Sequence, residues 1–146
     1  MLLEHCVAFV TGAASGIGAA GTRAMAREGA RVVVTDRDGA GAEAIRAAGG
    51  QAEALALDVT DTAALRAAIA ATAERHGRLD VLHSHAGVQV DGKLEAVTVE
   101  QLDLSRRLNL RAHFVAAQAA VGPMRRQGGA ASSPPPRTGA CNTTAR

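Results

Sequence analysis

A short apolar run, Cys6-Val-Ala-Phe-Val10, leads through Thr11-Gly12-Ala-Ala-Ser15-Gly16-Ile17-Gly18 directly into apolar residues at helical spacing. This junction restricts the fold more than any other feature of the sequence. The run before it has no polar alternation and is expected as a strand covered on both faces. After it, Ile17, Ala20, Ala24 and Met25 can share one helical face, and Glu28-Gly29 supplies a stop with glycine just past the end. A strand covered on both faces and followed at once by a helix belongs in a parallel sheet with helices packed against it.

The alternation continues. Arg31-Val-Val-Val-Thr35 reads as a second strand, Ala40 to Ala48 as a helix closed by Gly49-Gly50, and Ala52 to Leu57 as a third strand. Leu65, Ala68, Ile69 and Ala73 form a helical stripe that His76-Gly77 ends, and Val81 to Ser84 is a fourth strand. Thr98 and Gln101 have the spacing of a capping box, opening a long helical pattern through Leu102, Leu108, Ala112, Val115 and Ala119. The expected fold is α/β: a Rossmann-like doubly wound parallel sheet, truncated after about four strands, forming one domain over residues 1–128. From Gly129 to Arg146 the texture changes. Pro134-Pro-Pro136, set among Ala and Ser, removes three backbone donors, so residues 129–146 are expected as a disordered, polyproline-like tail.

The glycine segment lies where a parallel sheet places its ligand crevice. Glycine permits a tight turn and lets the backbone approach a pyrophosphate, while the helix N-terminus offers unpaired N–H groups and a favourable dipole. Gly12, Ser15, Gly16, Ile17 and Gly18 are therefore candidate dinucleotide-binding residues, the alternative being a merely tight strand-to-helix turn. Asp36, ending the second strand, can accept hydrogen bonds from both hydroxyls of an adenosine ribose and would repel a 2′-phosphate. It can equally cap a turn before Gly39, and Arg37 beside it could contact a 2′-phosphate. The charge at Asp36 favours NAD over NADP.

With the glycine segment, Asp36, Asp58-Val59 and Ala86-Gly87 in this order, the chain from about Leu3 to Gln127 resembles the nucleotide-binding half of a short-chain dehydrogenase/reductase. The resemblance implies that Asp58 holds the adenine amino group with the Val59 backbone beside it, although Asp58 could also cap the helix that follows. It implies that Ala86 and Gly87 let the cofactor approach the backbone. The family's Asn-Asn-Ala-Gly reads Ser84-His85-Ala86-Gly87 here, so two strand-linking asparagines are replaced. His85 is read as structural rather than as a base. Asn109 matches the family's helical asparagine, which helps hold a proton-relay water through the backbone; a locally satisfied polar residue is the alternative.

The family's chemistry needs a tyrosine as acid/base, a lysine four residues on, and a serine that orients the substrate oxygen. This chain contains no tyrosine, and its one lysine, Lys93, precedes the helix carrying Asn109. Ser132 and Ser133 precede prolines where the family's fifth strand should run. Two readings compete: an NAD-dependent oxidoreductase by descent, truncated and without turnover, or a non-catalytic module that binds dinucleotide or pairs with itself or with full-length homologues through the long helix. Residues from about Ala130 onward are expected to come from a shifted reading frame, with a natural disordered tail or a spliced end as the alternative. Ala-Ala-Ser-Ser can be written GCG GCA TCA TCN, which from its third base reads Gly-Ile-Ile, the opening of the missing strand.

Charge and cysteines exclude other classes. A net charge of +2, with no basic run or interleaved aromatics, argues against nucleic acid. Cys6 and Cys141 have no paired spacing, and His5, His76, His83 and His113 have no metal-ligand spacing with carboxylates or cysteines, so neither a disulfide nor a metal is expected. The apolar stretch from Cys6 to Val10 is too short for a signal sequence or membrane span, and a cytoplasmic setting is the simplest.

Overall fold

The computed structural model describes residues 1–37 and 50–127. The expected Ala40 to Ala48 helix and the expected tail over residues 129–146 lie outside the described residues. Four strands, β1 (Val7–Thr11), β2 (Arg31–Asp36), β3 (Gln51–Ala56) and β4 (Val81–Ser84), form one sheet in the order β3-β2-β1-β4. All three pairings are parallel, with Phe9 opposite both Val33 and Leu82. The order reverses direction at β1, from which the chain runs outward to β2 and β3 and then crosses to β4 on the other side. This is the Rossmann-like arrangement expected of the alternation.

Helices α1 (Gly16–Arg27), α2 (Thr62–His76), α3 (Val99–Arg106) and α4 (His113–Gln127) connect and follow the strands. Between α3 and α4, Arg107–Ala112 is a π-helical segment, so the expected long helix is continuous in sequence but changes its winding at Asn109. The Thr98–Gln101 capping box is formed at its start, with both reciprocal hydrogen bonds present. The α2 helix is capped by Asp61, whose carboxylate accepts from the Ala63 and Ala64 amides, each at 3.0 Å, and not by Asp58. Gly77, left-handed at φ 70°, ends it.

Strand alternation divides the core between the two faces of the sheet. Phe9, Val33, Leu57 and Val59 pack with Leu65 and Ile69 of α2 and with Val115, Ala116 and Ala120 of α4. Ala8, Val10, Val32, Val34 and Ala52 form the opposite cluster, beneath α1. Phe9, Leu65, Ile69 and Leu79 are fully buried, each burial contributing about 1.5 to 3 kcal/mol.

Two helix faces differ from expectation. On α1 the buried residues are Gly18, Ala19 and Thr22, whereas Ile17 is 72% exposed. A threonine can face the core because its hydroxyl donates to the Gly18 carbonyl at 2.7 Å, leaving no unpaired polar atom. Leu102, expected in the long apolar stripe, is exposed, and α3 buries none of its residues. No described helix is long and apolar enough to cross a membrane.

Candidate functional site

The candidate residues gather at the C-terminal ends of the strands. Gly12 follows β1 at φ 66°, and a methyl group there would lie 2.8 Å from the Cα of Ala86. Two features therefore require glycine: the left-handed backbone and the close passage of the loop after β4. On the first turn of α1, a methyl on Gly18 would overlap the Gly12 carbonyl oxygen and lie 3.0 Å from His85 Cδ2. The turn is thus folded against the helix it leads into. Gly16, at φ 53°, has open space where its side chain would be. Ser15 starts the helix without a side-chain capping bond, and Ser15 and Ile17 are exposed at this corner. The helix end therefore presents amides without a side-chain acceptor, together with room for a ligand to approach the backbone, which suits a pyrophosphate.

Asp36 ties the end of β2 to this turn. One carboxylate oxygen accepts from the Ala14 amide at 3.0 Å, and the other from the Arg37 amide at 2.8 Å. The carboxylate thus braces the glycine turn and still has acceptor sites left, since a carboxylate offers about four. The Leu57 amide donates to the Asp36 carbonyl at 2.9 Å, bringing the end of β3 alongside. Asp58, just beyond, accepts from the Thr60 amide at 2.8 Å and the Thr60 hydroxyl at 2.7 Å. These bonds, and then the Arg37 and Arg107 charges, hold its carboxyl below the usual range. Asp58 is exposed and Val59 is buried, so the first faces the edge of the crevice while the second anchors it.

The loop after β4 is fastened from two sides. Thr11, buried in β1, accepts at its hydroxyl from the His85 and Ala86 amides at 3.0 and 3.2 Å. On the far side, Asn109 donates to the Val88 carbonyl at 2.7 Å and to the Ser105 hydroxyl at 3.1 Å, and accepts from the Val88 amide at 2.9 Å. Its oxygen would be 2.9 Å from a methyl on Gly87. The Asn109 side chain therefore clamps the loop, and its backbone lies in the π segment, a distortion often found at functional sites. Ser84 and His113 Nδ1 approach to 2.6 Å, a second link between β4 and the helix.

A family model for short chain dehydrogenases matches residues 6–131. The chain belongs to that family. It is 41% identical over 133 residues to the D-threitol dehydrogenase of Mycolicibacterium smegmatis, covering 88% of this chain and 51% of that protein. Among solved structures, it resembles a Burkholderia cenocepacia short chain dehydrogenase in complex with NADP, with a TM-score of 0.80 and 36% identity, covering 85% of this chain and 53% of that one. A metagenomic short-chain oxidoreductase in complex with NADP gives a TM-score of 0.81 and 38% identity, covering 87% and 60%. The chain spans about half the length of the curated relatives it matches.

Within this short-chain dehydrogenase frame, three structural residues escaped the reading of the sequence. Thr11 looked like the end of a strand, Asp61 lay in the shadow of Asp58, and His113 had no visible partner. Asp61 could have been found, since an Asp immediately before a helical stripe is a strong cap. The link from Ser84 to His113 spans 29 residues and has no local signal. It joins β4 to the helix from one of the two positions where the family's asparagines are replaced.

Proposed function

We propose that the chain is the dinucleotide-binding half of an NAD-dependent oxidoreductase and has no turnover of its own. The observation that carries the reading is the glycine turn drawn against Ala86 and tied to Asp36 through the Ala14 amide. Gly12, Ser15, Gly16, Ile17 and Gly18 would hold the pyrophosphate, Asp36 the adenosine ribose, and Asp58 with Val59 the adenine. Ala86 and Gly87 would let the cofactor pass close to the backbone, and Asn109 would keep that loop in place. The nicotinamide, when bound, supplies the hydride chemistry. This chain's residues bind and orient it, and without a phenol they cannot exchange a proton with a substrate oxygen.

NAD is favoured because Asp36 sets a carboxylate where a 2′-phosphate would sit. Two of the similar solved structures carry NADP, so the preference rests on this carboxylate alone, with Arg37 as its rival. NAD is expected to bind more tightly by about tenfold to a hundredfold, the equivalent of about 1 to 3 kcal/mol. Titrating the chain with both cofactors measures the ratio, and equal or tighter NADP binding would overturn the assignment of Asp36.

Dehydrogenase turnover is expected to be absent, since positioning alone leaves at most a trace of rate. Protein freed of host enzymes and turning over at about 1 per second or more would refute this. A second reading is a subunit-interaction fragment of the same family. It is favoured by Leu110 and Phe114, four residues apart on the long helix and both about two-thirds exposed. Such a fragment would pair with a copy of itself or a full-length homologue in the cytoplasm.

A further inference from the structure

Among the described residues, no group of three or more His, Cys, Asp or Glu side chains could hold a metal ion. Two imidazoles do come together. His83 and His85 stand two apart at the end of β4, so strand alternation puts both on one face, the face that carries α1. Their ring centroids are 5.6 Å apart and the planes meet at 67°. A methyl on Gly21 would be 3.2 Å from His83 Cε1, and one on Gly18 3.0 Å from His85 Cδ2. The two rings thus lie over the only two α1 positions on that side that lack side chains, three residues apart. Neither ring is hydrogen-bonded to any described residue, unlike His113, which is engaged by Ser84 on the opposite face.

We propose that His83 and His85 chelate a divalent late first-row metal ion beside the glycine-rich turn. Paired imidazoles suit Ni2+, Cu2+ and Zn2+ and not Mg2+, which takes oxygen ligands. With two protein ligands the remaining positions stay open to water or to an anion. Both nitrogens must be unprotonated to bind.

Ni2+ titrated into the isotopically labelled full chain tests the site. Paramagnetic broadening is expected first at the amides of residues 83–86, Gly18 and Gly21. Losing a ligand costs at least what losing a ligand's supporting hydrogen bond costs, so H83Q and H85Q should each weaken Ni2+ binding by about tenfold or more. H113Q should bind as the unchanged chain does. The Cu2+ electron spin resonance spectrum of the unchanged chain, which needs no variant to fold, is expected to show two coupled nitrogens. Broadening centred on His5 and Cys6, an undiminished affinity in folded H85Q, or a copper spectrum with a single nitrogen would each overturn the proposal.

Discussion

Replacing Gly18 by alanine is expected to destabilise the chain by about 3 kcal/mol and to abolish dinucleotide binding. Helix propensity alone points the other way, since alanine inside a helix is better than glycine by about 0.5 to 1 kcal/mol. Sterics decide the sign. The added methyl would overlap the Gly12 carbonyl oxygen, which belongs to backbone, and it would also meet His85. Gly12 cannot retreat, because its other side is against the backbone of Ala86. Ala86 in turn is fixed through its amide to Thr11. The strain therefore falls on the turn where the pyrophosphate would lie. Gly16→Ala is the contrasting control: unlike helical Gly18 it is left-handed, at φ 53°, but it has open space around it, so only a backbone term arises, about 1 kcal/mol. Urea unfolding of both variants, with an NAD titration of each, gives the comparison. A G18A chain as stable as its parent would mean that the turn and helix are not in close contact.

The fold was legible because a parallel sheet covered on both faces leaves a strong mark. The runs at Val7 to Val10 and Val32 to Val34 have no polar alternation; the glycine turn follows the first, and the Glu28-Gly29 helix stop precedes the second. Boundaries moved by one residue, as at β3, which runs from Gln51 to Ala56 rather than from Ala52 to Leu57. The strand ends at hydrogen bonds to β2, not at a change of residue type. The buried face of α1 departs from its apolar pattern because size, not hydrophobicity, decides which residues can point inward. Contact with Gly12 instead demands the smallest residues there, and Ile17 is left at the mouth of the crevice.

The candidate site was legible as far as it depends on spacing. Gly12, Gly18, Asp36, Ala86 and Asn109 are brought to the C-terminal end of the sheet, as their order in the sequence implied. What the sequence hid was the way they hold one another. Asp36 had two readings, a ribose acceptor and a cap of a helix or turn before Gly39; the second falls outside the described residues, and the bonds to the Ala14 and Arg37 amides tie the carboxylate to the glycine turn without removing the first. Asn109 likewise is satisfied locally, yet through the loop at Val88 and not only within its own helix. Tertiary bonds of this kind have no sequence period, so neither motif nor amphipathicity reports them.

Sequencing the coding DNA through Ala130 is expected to reveal a second open frame that continues the family's sequence. The geometry just before that point says what should follow. The side chain of Gln127, the last residue of α4, donates to the Leu79 carbonyl at 2.7 Å, so the helix ends beside the start of β4. In a fold of this kind a right-handed crossover from such a helix end would place a following strand parallel to β4, along the edge that no described strand occupies. Among the described residues β4 is only partly buried, whereas every residue of β1 is buried. A β-branched strand would fit that edge, and three consecutive prolines would not, since they cannot donate to the ladder. The family match stops at residue 131, where the Ser-Ser-Pro-Pro-Pro stretch begins. From the third base of the Ala130 codon, the frame reads Gly-Ile-Ile if Ala130 is GCG, Ala131 GCA, Ser132 TCA and Ser133 any TCN codon. The next three codons are then fixed in their last two bases by the prolines, and each must encode Ser, Thr, Ala or Pro. A serine among them, followed downstream by Tyr-x-x-x-Lys, would supply the groups this chain lacks. Protein translated in that frame should pass from no turnover to an ordinary rate of about 1 per second or more. If neither alternative frame contains the tyrosine and lysine, a shifted frame is not the origin of the tail, and the difference in length from the relatives has another cause.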